Sequence, residues 1–238
     1  MSVSRRIARK LAPFAALAAI LSAQAAEAQR ARMDPDNPTC PQSPNWSTYA
    51  QMRFTPQTVN GKRVLLAEGS VDDGLIPRLE AALRDETIEE IWLRSPGGNA
   101  RIGNQAGTII RRSGLPTRIP AGWACFSACN FMFMGGFARF IDPGGLFIVH
   151  MFTFTNSEAV RQAGQQGQQG TVSLIGDLEQ ESALLASEDN DFLIRMGLSR
   201  DLLTEVMYRQ RAVRDVNNRS TRRCLTPEET RRYNVVNQ

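Results

Sequence analysis

The sequence predicts an α/β fold, a layered domain with a largely parallel sheet and flanking helices. Three observations lead there. From Lys62 onward, short apolar runs of strand length alternate with stretches of helical periodicity. Glycine- and proline-rich turns fall between them, at Ser95-Pro96-Gly97-Gly98 and Gly114-Leu115-Pro116. The chain of 238 residues, 42% hydrophobic and 22% charged, is long enough for one well-buried domain plus a short arm.

The amino terminus does not belong to that domain. Ser4-Arg5-Arg6-Ile7-Ala8-Arg9-Lys10 precedes an apolar stretch from Leu11 to Ala26, and small residues follow to Ala28. Charged, apolar and small regions in that order predict a secretory signal over 1–28, cleaved after Ala28. The apolar stretch is about 15 residues long and contains Pro13, short of the roughly 20 a spanning helix needs, so no stable membrane span is expected after cleavage. The paired arginines leave both the general and the twin-arginine export routes open. The destination is exported, periplasmic or secreted.

Cleavage takes four basic residues and one acid with it, so the formal charge falls from +4 to +1. The remaining arginines are dispersed and lack interleaved aromatics, so no nucleic-acid partner is expected.

Residues 29–60, rich in Pro, Asn, Gln and Asp, read as an extended arm, and 61–238 as the domain. Arg63 to Gly69 reads as a buried strand. Leu75, Leu79, Ala82 and Leu83 mark one face of a helix ending near Arg84. Ile88 to Arg94 gives the next strand, and a helix follows the glycine turn over about Arg101 to Ser113. Pro116 to Ala124 is expected as a third strand and Ser127 to Gly135 as a short apolar helix. Ala138–Ile141 and Phe147–Phe152 are two more strands. Gln162 to Gly170 reads as a flexible loop. Helical patterns cover about 172–196 and 200–211, and Thr226-Pro227 has the form of an N-cap and first helical residue.

Four cysteines in an exported chain fit two disulfides, and four allow three connectivities. Cys125 and Cys129 are four apart, which on a helix separates their α-carbons by about 6 Å, near the upper end of the disulfide range. Cys125–Cys129 with Cys40–Cys224 is the pairing taken first. A four-thiolate zinc site is the alternative, but neither lone cysteine has a close neighbour in sequence, and no metal or other cofactor is expected.

The chemistry centres on Ser127 and His150, the only histidine in the chain. A serine hydroxyl needs a base to remove its proton, and acyl transfer further needs donors for the oxyanion. Ser127 sits at a strand-to-helix turn, which leaves the Ala128 N–H beside it. A glycine turn brings bare backbone close to a ligand, so the Gly98 N–H is the second donor. Gly98 and Ser127 are 29 residues apart, room for one helix and one strand, so both turns reach the same sheet edge. Taken alone, His150 reads as a core histidine and Gly97-Gly98 as a plain turn. Trp123 is expected in the core or lining a pocket near Ser127. Lys62 is the sole lysine left for a Ser–Lys mechanism and lies at the start of a strand.

Several motifs carry a resemblance together: Ser95-Pro96-Gly97-Gly98, Gly-x-x-x-x-Ser ending at Ser127, Gly135-Gly136-Phe137-Ala138-Arg139, and a strand ending in His150. Over 62–155, and again at 225–236, the chain resembles the Clp-type proteolytic subunits of the Clp-protease/crotonase superfamily. It is similar in particular to an exported bacterial branch with Cys-x-Ser-Ala-Cys at the nucleophile. The resemblance implies a crotonase/Clp-protease-like layered fold, with Ser127 as nucleophile, His150 as base, and Gly98 and Ala128 as the oxyanion hole. It implies a serine hydrolase acting on a peptide or small acyl substrate, and a homo-oligomer. No ATPase partner is expected in a compartment without ATP. The family's catalytic aspartate falls on Arg222, which cannot orient an imidazolium. That leaves a Ser–His dyad, an acid from elsewhere such as Asp215, or an inactive binding or scaffold protein.

Overall fold

A computed structural model describes residues 33–34, 37–151, 158–210 and 222–238. The expected signal over 1–28 and Asp215 lie outside the described residues.

The sheet forms where the apolar runs were densest. Strands β1 (Met33–Asp34) and β2 (Asn37–Pro41) pair antiparallel in the arm. Five strands, β3 (Arg53–Val59), β4 (Lys62–Glu68), β5 (Glu90–Arg94), β6 (Thr117–Ile119) and β8 (Arg139–Ile141), form the larger sheet in the order β3-β4-β5-β6-β8. Only β3 runs antiparallel to its neighbour. Helices α1 (Leu75–Ala82) and α2 (Ala100–Ser113) make the crossovers. Val64, Leu65, Ile91 and Leu93 of the sheet are buried with Leu75 and Leu79 of α1 and Ala106 and Ile110 of α2. Each of the valine, leucine and isoleucine side chains contributes about 1.5–3 kcal/mol by leaving water.

A second sheet holds β7 (Ala124–Phe126), β9 (Leu146–His150) and β10 (Arg222–Cys224), in the order β10-β9-β7. β7 and β9 are parallel and β10 is antiparallel to β9. A single bridge, Ser95 to Cys125, joins it to the end of β5. Short helix α3 (Cys129–Met134) is buried along its whole length. It packs on α2, where Gly103 and Gly107 meet the backbone of Ala128 and Phe131. The remaining helices are α4 (Glu158–Gln165), α5 (Gly167–Met196), a π-helical turn at Leu202–Met207, and α6 (Pro227–Arg232). The last has the expected cap: the Thr226 hydroxyl accepts from the Glu229 N–H, and the Glu229 carboxylate accepts from the Thr226 N–H.

Four segments differ from expectation. The strand expected over Pro116–Ala124 is two strands in two sheets. Pro120-Ala121-Gly122 turns the chain between them, with Gly122 at φ 75°. The loop expected at Gln162–Gly170 is helical up to Gln165 and again from Gly167, because glutamine is a good helix former; the break falls at Gly167, φ 77°. The expected arm over 29–60 ends in β3, which a two-residue turn at Asn60-Gly61 folds back onto β4. The helix expected over 200–211 is a π-helical turn over six of those residues.

Candidate active site

Ser127 sits between β7 and α3 with φ 57°. A left-handed backbone at a non-glycine residue costs on the order of 1–3 kcal/mol and persists only where its surroundings impose it. Three ties do so. The Ser127 N–H donates to the Ile148 carbonyl (3.3 Å), and the Ser127 carbonyl accepts from the Asn130 N–H (2.8 Å). Asn130 also donates its side-chain Nδ2 to the same Ile148 carbonyl (2.7 Å), binding the elbow to the strand that carries the histidine. Cys125 and Cys129 flank the elbow with their sulfurs at bonding distance and their α-carbons 5.4 Å apart.

The turn brings the hydroxyl to the histidine. His150 ends β9, two residues beyond Ile148, and its Nε2 lies 2.7 Å from Ser127 Oγ. Burial lowers the pKa of His150, and a hydrogen bond to the Met151 backbone works against that shift. The ring is therefore neutral near pH 7, with the nitrogen facing Ser127 free to accept its proton. No carboxylate contributes to the environment of His150 among the described residues. The Phe126 ring packs against the imidazole, centroid to centroid 4.7 Å, and stacks on Trp46 at 5.4 Å.

The glycine turn meets the elbow from the other side. A Cβ on Gly97 would lie 2.5 Å from the Phe126 carbonyl oxygen, 2.6 Å from Ser127 Cβ and 3.0 Å from the Ala128 nitrogen. The Gly97 carbonyl accepts from the Val71 N–H (2.8 Å). In a trans peptide the next N–H points the opposite way, so the Gly98 N–H is directed away from Val71, toward the side on which β7 lies. Neither the Gly98 nor the Ala128 N–H donates to another group among the described residues.

Arg222 is directly across from His150 in the β9–β10 register. Its guanidinium donates to the carbonyls of Pro41 (3.0 Å) and Gln42 (2.6 Å) and stands 5.8 Å from the Trp46 ring. Cys40 and Cys224 join the same arm to β10, α-carbons 5.1 Å apart. The fold thus places His150 and the Gly97 turn, which leads into Gly98, on either side of the Ser127–Ala128 elbow, with Arg222 opposite His150 in register and its guanidinium turned onto the arm. Lys62 pairs with Glu90 at 3.3 Å. Arg139 is buried and donates to the carbonyls of Asn234 and Val235 (both 2.8 Å), with burial first and Arg111 second lowering its pKa to about 10. It fastens the carboxyl-terminal segment. Trp123 is partly buried and meets Trp92 edge-on, with ring centroids 6.3 Å apart.

Trp46, Phe126 and Asn130 were not singled out by sequence reasoning. Phe126 and Asn130 adjoin the Ser-Ala-Cys motif and were within reach; Trp46 is too distant in sequence to be found. A cavity of about 700 Å³, bounded by residues including Arg118, Asp142, Thr226 and Arg231, has no dyad residue in its wall. No group of three or more His, Cys, Asp or Glu side chains that could hold a metal occurs among the described residues.

No family model matches the chain, and no curated protein matches its sequence. Among solved structures, it is similar to a mutant of ClpP1 from Listeria monocytogenes, 15% identical over 73% of this chain and 88% of that one, TM-score 0.45. It is also similar to a mutant of the membrane-bound stomatin-specific protease 1510-N, 15% identical over 73% of this chain and 75% of that one, TM-score 0.43.

Proposed function

We propose that this protein is an exported serine hydrolase, acting on peptides through a Ser127–His150 dyad. The observation that carries the reading is the 2.7 Å approach of His150 Nε2 to Ser127 Oγ at a strained elbow. In the proposed reaction His150 takes the Ser127 proton as Oγ attacks the substrate carbonyl. The N–H groups of Gly98 and Ala128 hold the oxyanion; losing one such donor typically costs about 2.7–4 kcal/mol of transition-state stabilisation. The imidazolium then gives its proton to the leaving amine, and water repeats the sequence on the acyl-enzyme.

Among the described residues no carboxylate holds the ring; its backbone partner is Met151. Other serine sites lose on the order of 10⁴ in turnover when that carboxylate is neutralised, so slow turnover is expected. Export is supported by the two cysteine pairs at bonding distance, which suit an oxidising compartment. No helix among the described residues is long and apolar enough to cross a membrane.

A fluorophosphonate probe tests the reading. Intact protein should label on Ser127, and Ser127→Ala and His150→Ala should each lower labelling by at least about a thousandfold. A second reading, a binding or scaffold protein that keeps the fold without the chemistry, is favoured by Arg222 opposite His150. Absence of labelling in the intact protein would select it.

A further inference from the structure

The position across from His150 holds an arginine, and its guanidinium grips the arm. Its Nη2 donates to two successive carbonyls, Pro41 and Gln42, and the guanidinium stands 5.8 Å from the Trp46 ring. The arm is fixed at two further points: Cys40 joins Cys224, and the Asn45 carbonyl accepts from the Ala124 N–H at the start of β7 (2.9 Å). Asn45 Nδ2 also donates to the Gly122 carbonyl (2.9 Å). Directly after the last of these anchors, Trp46 is delivered onto Phe126, rings 18° from parallel, and Phe126 lies against the imidazole. Arg222, Trp46, Phe126 and His150 are joined in one column by successive contacts.

From this column we infer that Trp46 is a positioning residue for His150, held there by Arg222, so that the amino-terminal arm is part of the active site. The inference rests on the serine-hydrolase reading for its catalytic consequence. An imidazole with a carboxylate partner is oriented by that bond. Among the described residues, the polar partners of this ring are Ser127 and the adjacent Met151 backbone. The ring's remaining freedom is limited by packing, and Phe126 can press on it only while Trp46 backs Phe126. The same packing covers part of the half-buried ring. The charged group facing His150 from β10 is Arg222; β7 and the elbow, Ala124 to Cys129, contribute no titratable side chain apart from the paired cysteines.

His150 is the only histidine, so its titration can be followed by NMR in protein carrying no added histidines, whatever the enzyme does. Trp46→Leu should move its midpoint upward, toward the ordinary 6.5, by re-admitting water to the ring. The same variant should slow fluorophosphonate labelling roughly ten- to hundredfold, while Trp46→Phe, which keeps a stacking ring, should stay within about threefold of wild type. Arg222→Lys keeps the charge and loses the flat guanidinium beside the Trp46 ring; its midpoint should rise in the same direction with Trp46 intact.

A Trp46→Leu midpoint equal to wild type overturns the inference, and if that variant does not fold, an unchanged midpoint in Arg222→Lys does so. A wild-type protein that never labels but whose midpoint responds to Trp46 sinks the hydrolase reading and leaves the positioning role standing. Normal labelling with an unresponsive midpoint does the reverse.

Discussion

A half-buried histidine with a lowered pKa is neutral, and so able to accept a proton, at neutral pH, and its titration sets how the site answers to acid. The folded-state value lies below the unfolded 6.5 because burial penalises the imidazolium. The sign follows for both stability and reactivity. As pH falls below 6.5 the unfolded state takes up a proton first, so this group's contribution to stability is complete above 6.5 and is lost as pH falls through the folded value. In the proposed mechanism the neutral ring is the form that accepts from Ser127. Fluorophosphonate labelling should therefore rise with pH through a midpoint below 6.5 and then level off. A rate still climbing through pH 8 would show a different group removing the proton. Ser127 adds its own constraint, since φ 57° is tolerated only while Ile148 and Asn130 hold both sides of its peptide.

The site depends most on the fit between two elements, the Gly97-Gly98 turn and the elbow of β7 and α3. Gly97→Ala would set a methyl 2.5 Å from the Phe126 carbonyl and 2.6 Å from Ser127 Cβ, at φ 83°, so both the backbone and the neighbour oppose it. Labelling should fall at least tenfold, by the roughly hundredfold scale of a 1 Å misplacement, with a lower thermal midpoint; unchanged labelling would mean the turn does not shape the site. This juxtaposition was legible in the sequence, because the spacing from Gly98 to Ser127 fits one helix and one strand. So were β4, β5, α1 and α2, whose periodic apolar runs bury the faces they predict. The split of Pro116–Ala124 was not, because a short turn between two apolar runs looks like one strand until the sheets are separated in space. The hairpin at Asn60-Gly61 carried a signal that was passed over: both residues have positive φ, the pattern of a two-residue turn, and Pro56 is tolerated on the edge strand it closes. The glutamine- and glycine-rich segment misled by composition, where propensity argued for helix.

At the scale of the whole molecule, the two cysteine pairs do different work, and that difference can be measured. Cys40–Cys224 spans 184 residues and ties the arm to the far end of the chain; Cys125–Cys129 spans four and encloses only the elbow. In the chain-entropy account, the long closure restricts the unfolded ensemble by about 5 kcal/mol and the short one by about 2, as upper figures. Cys40→Ala with Cys224→Ala should therefore lower the denaturant midpoint more than Cys125→Ala with Cys129→Ala. Reactivity should divide the other way in part. Opening the short pair frees the residues on both sides of Ser127, so labelling should drop even where global unfolding barely changes. Opening the long pair acts on the dyad only through the arm, so its effect on labelling should match that of Trp46→Leu and vanish when combined with it. Denaturation and labelling of the two double variants, with the triple variant as the additivity check, resolve these effects. Equal stability losses from both pairs would contradict the loop-length argument. An additive loss of labelling in the triple variant would detach the Cys40–Cys224 link from the Trp46 column and leave it a purely structural fastening.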